Sequence, residues 1–161
     1  MGMTSGMYSA NRKDYSTPQD FFDRLDEEFS FELDACAEEW CAKCEHYYSP
    51  EQDALKQDWT GNTFCNPPYG TGIVHWVHKA YMEATKGSLV VCLLPARTDT
   101  VWFHTWCLKA NEIRLVKGRL RFEPGNTSAP FPSAVVIYRP QLLLPGVHPI
   151  LTSMDAREEK K

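Results

Sequence analysis

Apolar and polar positions along the chain alternate between helical and strand-like spacing after a polar start. Residues 1–14 are rich in Gly, Ser and Met without periodicity, and are expected to be flexible. Thr17-Pro18 reads as a helix start, with Thr at the N-cap and Pro at the first helical position. Asp20 then suits the positive end of the helix dipole. Phe21, Leu25 and Phe29 repeat at spacing four, one apolar face of a helix ending near Phe29. Residues 31–36 read as a short strand ending in small side chains. Residues 37–62 read mostly as loop, with a short strand possible at 46–49. Thr63-Phe64-Cys65 is a strand stopped by Pro67-Pro68. From Ile73 the apolar positions 73, 74, 76, 77, 80, 81 and 84 match helical spacing, and Gly87 is a natural stop.

The continuous apolar run at 89–94 predicts a central strand covered on both faces. A helix over 99–109, a strand over 113–122 that turns to strict alternation, and a buried strand over 134–138 follow. Such an order predicts an α/β fold, an open and mostly parallel sheet with helices on both faces. The folded domain spans 15–140, leaving 141–161 as a tail whose last ten residues are expected to be disordered. Sheets of this kind bind ligands beyond the carboxyl ends of their strands, where strand order reverses. Asp34 and Asn66 each fall just after a strand.

A chain of 161 residues fits one domain with a real core. No apolar run approaches the roughly 18 residues of a membrane span, and the start lacks the features of a secretion signal. Cys65 and Cys92 sit inside strand-like runs, so the six cysteines are expected to be free thiols in a cytoplasmic protein. The net charge of −4 argues weakly against nucleic acid, but its distribution matters more. Residues 20–39 hold nine acidic side chains and one basic, whereas 109–121 hold five basic and one acidic. A basic strip on an acidic protein still serves a phosphate backbone.

Asn66-Pro67-Pro68-Tyr69 is the segment with chemistry in it. An aromatic amine is a poor nucleophile because its lone pair is delocalised into the ring. Two acceptors on its hydrogens, the Asn66 side-chain oxygen and the Pro67 carbonyl, would localise that pair and aim it. Consecutive prolines stiffen the carbonyl's direction, and Tyr69 offers a flat face worth about 1–3 kcal/mol to a stacked base. In isolation the tetrapeptide is an ordinary turn; its place after an apolar strand and before an amphipathic helix favours the active-site reading.

With Tyr15-Ser16-Thr17-Pro18, Phe31-Glu32-Leu33-Asp34-Ala35-Cys36-Ala37, Asp53-Ala54-Leu55 and Asp58-Trp59, the sequence resembles the small phage-type Dam family of DNA N6-adenine methyltransferases. Asn66-Pro67-Pro68-Tyr69-Gly70, Leu94-Pro95-Ala96-Arg97-Thr98-Asp99-Thr100 and Lys117-Gly118-Arg119-Leu120-Arg121-Phe122 carry the likeness onward, over about residues 15–139. The resemblance implies a Rossmann-like domain using S-adenosylmethionine, with double-stranded DNA as partner and no obligatory metal. Thr17-Pro18 then matches the element holding the methionine end. Asp34, with Ala35, matches the acidic position after the first strand, where a carboxylate can pair with an ammonium. Asp53 and Asp58 become candidates for the ribose hydroxyls and the adenine amine. No Gly-x-Gly loop follows the first strand, which departs from most methyltransferases.

Lys117, Arg119 and Arg121 alternate with apolar residues, placing three cations on one strand face as candidate phosphate contacts, with Arg97 a fourth. Cys41-Ala42-Lys43-Cys44 with Cys36 and His46 has partial zinc spacing. Without a second Cys-x2-Cys, scattered thiols are the preferred reading. The expected activity is methyl transfer to N6 of an adenine flipped out of duplex DNA, with sequence specificity from loops, chiefly residues 118–133 and with 37–50 as a further candidate. The alternatives are a methyltransferase for cytosine N4, an RNA base or protein glutamine, a non-catalytic DNA-binding module, and a zinc-dependent binding protein.

Overall fold

The run at 89–94 forms a strand, Val90–Pro95, in which every residue is buried, because helices cover both of its faces. The computed structural model describes residues 15–146 and 148–158, so the expected flexible start at 1–14 lies outside the described residues. In chain order the elements are α1 (Gln19–Phe29), β1 (Leu33–Asp34), β2 (His46–Tyr47), β3 (Thr63–Cys65), α2 (Ile73–Thr85) and β4 (Val90–Pro95). They continue with α3 (Val101–Trp106), β5 (Glu112–Lys117), β6 (Arg121–Phe122), β7 (Thr127–Ser128), β8 (Ser133–Tyr138) and β9 (Ile150–Asp155). Seven strands form one sheet in the order β2-β1-β3-β4-β8-β5-β9. β8 runs antiparallel to both neighbours, and the remaining pairings are parallel.

Successive side chains of a strand point to opposite faces, and β4 divides its residues accordingly. Val91 and Leu93 pack with Phe21, Phe22 and Leu25 of α1. Val90, Cys92 and Leu94 pack with Trp76, Val77 and Ala80 of α2 and Phe103 of α3. The expected mixed α/β sheet with helices on both faces is present. No helix among the described residues is long and apolar enough to cross a membrane.

Three local expectations are corrected. Thr17 does not cap α1, whose N-cap is Pro18 without a side-chain bond; the Thr17 hydroxyl is engaged elsewhere. The strand predicted over 113–122 ends at Lys117, because Gly118 takes φ +85° and turns the chain. The alternating cations therefore do not share one strand face: Lys117 closes β5, whereas Arg121 belongs to the separate β6–β7 hairpin. The tail is not simply disordered, since Ile150–Asp155 add a seventh strand in parallel register with β5. This edge strand is mostly exposed, so its pairing rests on backbone bonds and leaves little hydrophobic signature.

An ion cluster ties α1 to the sheet. Arg114 on β5 donates to both Glu28 oxygens, at 2.6 and 2.7 Å, and to Glu112 at 2.6 Å. Arg139 adds a contact to Glu112 at 3.4 Å. The Arg114 hydrogen bond holds Glu28 below the usual carboxylate range. Burial pushes Glu112 up, but hydrogen bonds from Arg114 and Thr152 outweigh it and leave that carboxyl lowered too. The stability these groups add is therefore present above their unfolded pKa of about 4.3 and is lost as pH falls through the lowered folded values. Thermal melts should show the wild type losing stability on acidification below about pH 4.3, with Arg114→Met less stable at pH 7 and less sensitive to that step.

Candidate active site

Strand order reverses beside β1, with β2 on one side of it and β3 on the other, so a crevice opens at their carboxyl ends. Asp34 closes β1 and Asn66 follows β3 directly. These two side chains line one cleft together with Tyr15, Ser16, Thr17, Cys36, Cys41, Lys43 and Phe64. The sheet thus brings together Thr17, Asp34 and Asn66, three positions widely separated in sequence.

The amide of Asn66 has a defined orientation. Its Nδ2 donates to the Tyr15 carbonyl at 2.7 Å and to Thr17 Oγ1 at 3.0 Å. A carbonyl only accepts, so the amide edge facing Tyr15 must be the NH2 edge. Oδ1 then points the other way, and among the described residues it is buried without a hydrogen-bond partner. A buried acceptor left unpaired costs roughly 1–3 kcal/mol. Backbone bonds between Ser16 and Glu123, at 3.2 and 2.9 Å, fasten this lead-in segment to the turn of the β6–β7 hairpin.

Pro67 and Pro68 are buried, and Tyr69 emerges into an aromatic cluster. Its ring lies 5.6 Å from Tyr15, 6.2 Å from Phe122 and 5.3 Å from Phe131. The ring is half-buried, but its hydroxyl is deep and donates to the Leu93 carbonyl at 3.3 Å. Burial pushes that phenol well above its ordinary pKa, so it stays protonated. The hydroxyl anchors the ring within that cluster.

Asp34 is buried at 2% exposure. Its oxygens accept from the Cys36 N–H at 3.2 Å and the Lys43 N–H at 3.0 Å, which folds the 36–43 segment back over the strand end. Ala35 is fully buried, its N–H bonded to the Phe64 carbonyl at 2.9 Å. Small residues here give the close backbone approach that glycine supplies elsewhere.

Asp53 and Asp58 are not brought to this cleft. Asp53 sits between two short 3-10 turns, ion-paired with Lys56 at 3.2 Å. Asp58 is 82% exposed and pairs with Lys86 at 3.3 Å, before β3 and so at the opposite end of the sheet. The carboxyl ends of β1 and β2 are flanked instead by a cleft lined by Glu38, Glu39, Trp40, Tyr47, Ser49 and Glu51. The end of β2 was the signal that would have found them.

The four cations expected to meet DNA are all exposed. Arg97 lies after β4 with its guanidinium 5.9 Å from the Phe131 ring, beside the aromatic cluster. Arg119 reaches the Ala129 carbonyl at 3.4 Å, and Lys117 is 3.6 Å from Asp155. Of the zinc constellation, Cys41 Sγ accepts from the Glu38 N–H at 3.4 Å. Burial, then the charges of Asp34 and Asp26, push the Cys44 thiol to about 12. Among the described residues no three His, Cys, Asp or Glu side chains form a metal-binding group.

The family model for DNA N-6-adenine-methyltransferase (Dam) matches residues 4–144. A DNA N-6-adenine-methyltransferase of Haemophilus phage HP1 is 27% identical over 169 residues, covering 98% of this chain and 97% of that protein. A second protein of that name, from Escherichia phage T1, is 33% identical over 109 residues, 66% of this chain but 45% of its own length. With the match running through the cleft and both walls of the sheet, the chain belongs to the Dam family of DNA N-6-adenine-methyltransferases.

Proposed function

We propose that this chain is a Rossmann-like enzyme that methylates N6 of an adenine extruded from double-stranded DNA, drawing the methyl group from S-adenosylmethionine. The observation that carries this reading is the buried Asn66 Oδ1, held open by the bonds that fix the amide's other edge. The donor chemistry of the cleft fits the cofactor: a carboxylate at Asp34, a hydroxyl at Thr17, and a small side chain at Cys36, with Ala35 directly after Asp34 on the backbone that would face it. S-adenosylmethionine supplies, when bound, a methyl group on a positively charged sulfur that is already activated.

The chain's own contribution is positioning. Asn66 Oδ1 accepts one amino hydrogen and the Pro67 carbonyl the other, which draws the nitrogen lone pair out of conjugation. That localised pair would be aimed at the methyl group that bound S-adenosylmethionine would supply, and the surplus amino proton would leave to water. The Tyr69 face supports the adenine plane, and Arg97, Lys117, Arg119 and Arg121 hold the flanking phosphates. Thr17 and Pro18 hold the methionine end beside Asp34. The adenosine end fits the cleft with Trp40 and Glu51 better than it fits Asp53 or Asp58, given where those two residues lie.

Incubation with methyl-labelled S-adenosylmethionine and unmethylated duplex DNA should place label in N6-methyladenine. Asn66→Ala should lower kcat by about 10²–10³-fold, the usual loss on removing one preorganised polar group, while losing the bonds to Tyr15 and Thr17 costs about 1–3 kcal/mol of stability and leaves the protein folded at the assay temperature. Label in another base or in protein, or an active alanine variant, would overturn the proposal. Tyr69→Phe keeps the aromatic face and loses the Leu93 bond, so it should cost about 1 kcal/mol of stability and retain activity within a few-fold. Tyr69→Ala should raise KM for DNA tenfold or more, since about 1–3 kcal/mol of stacking is lost.

A further inference from the structure

Among the described residues, the cleft between Thr17 and Asp34 is lined by one cation, Lys43. It is tied to Asp34 through the backbone, its N–H donating to the Asp34 carboxylate at 3.0 Å. Its ammonium group reaches back to α1, where it donates to the Gln19 side-chain oxygen at 3.0 Å. Gln19 is neutral and exposed, and its own amide is shared with Asp23 at 2.7 Å. Lys43 thus lines the cleft while its ammonium is held at the neighbouring opening by a neutral partner, a bond that leaves its charge uncompensated. An aspartate and a lysine lining one small cleft are the complement of an amino-acid head group, which carries both charges in reverse, once the ammonium turns from Gln19 into the cleft.

We infer that Lys43 binds the carboxylate of the cofactor's methionine end while Asp34 binds its ammonium, so that the pair reads the whole zwitterion. This rests on the cofactor assignment made above and adds a positioning residue from the loop at 37–50. The ligand ammonium is a charged donor, and its charge-assisted bond to the Asp34 carboxylate is stronger than the neutral backbone bonds there and can displace a weaker partner. The ammonium of Lys43 has three donors and can exchange or share Gln19 for a charged acceptor, a stronger bond than the neutral one it holds.

Two ligands separate this role from a merely structural one: S-adenosylhomocysteine, and its decarboxylated form, which keeps the ammonium and lacks the carboxylate. Binding of each would be measured by calorimetry to wild type, Lys43→Gln and Lys43→Arg, with melting temperatures alongside. Lys43→Gln should bind S-adenosylhomocysteine at least about tenfold more weakly, as expected for one lost charge-assisted bond. It should bind the decarboxylated ligand within about twofold of wild type, the pairing that a double-mutant cycle requires. Lys43→Arg, which keeps a cation, should preserve most of the preference for the carboxylate. Equal weakening of both ligands, or no weakening of either, would overturn the role of Lys43 while leaving the cofactor assignment intact. A wild type that binds neither ligand would overturn the cofactor assignment and this inference with it.

Discussion

The side-chain amide of Asn66 has two edges, and the site depends on only one of them being used. Tyr15 and Thr17 take the NH2 edge, at 2.7 and 3.0 Å, and so leave Oδ1 as a buried acceptor with nothing to accept from among the described residues. Folding alone would not favour this, since an unpaired buried oxygen costs free energy. Its retention makes sense where a ligand completes the bond, and an exocyclic amine is a ligand with hydrogens to give. The rest of the architecture serves this amide. β3 delivers it to the carboxyl edge of the sheet, the proline pair stiffens the backbone on its far side, and the Ser16–Glu123 ladder steadies the segment that grips it.

Much of this was legible in the sequence because periodicity and punctuation agree there. The run at 89–94 could only be a strand buried on both faces, and the spacing after Ile73 could only be a helix. Pro67-Pro68 marked where β3 must stop, and therefore where Asn66 must project. What escaped was decided by contacts with no local signature. The Thr17 hydroxyl looks like a helix cap until Asn66, 49 positions away in sequence, competes for it. Gly118 sits inside an alternating pattern, and its left-handed turn separates Lys117 from Arg121. β9 is an exposed edge strand, held by backbone pairing to β5.

Asp53, Asp58 and Lys43 show the same limit at the site. Matching segments suggested both aspartates, but the chain runs back across the sheet between β2 and β3, which carries Asp58 to the far end. Lys43 has no sequence signal of its own between Cys41 and Cys44. Its significance lies in the backbone bond to Asp34 and in its place on the cleft, neither of which is readable from spacing. The cations were legible despite the acidic total, because Arg97, Lys117, Arg119 and Arg121 stand out in the charge distribution, and all four are exposed. Net charge describes the whole surface, whereas phosphate binding depends on one edge of it.

The most direct measurement is an experimental structure with S-adenosylhomocysteine and an adenine-containing duplex bound. The account predicts an extruded adenine stacked on Tyr69, with its amino group within hydrogen-bonding distance of Asn66 Oδ1, roughly 2.7–3.2 Å, and Nδ2 still held by Tyr15 and Thr17. An adenine that stays in the helix, or an Asn66 oxygen that turns away from the amine, would contradict it.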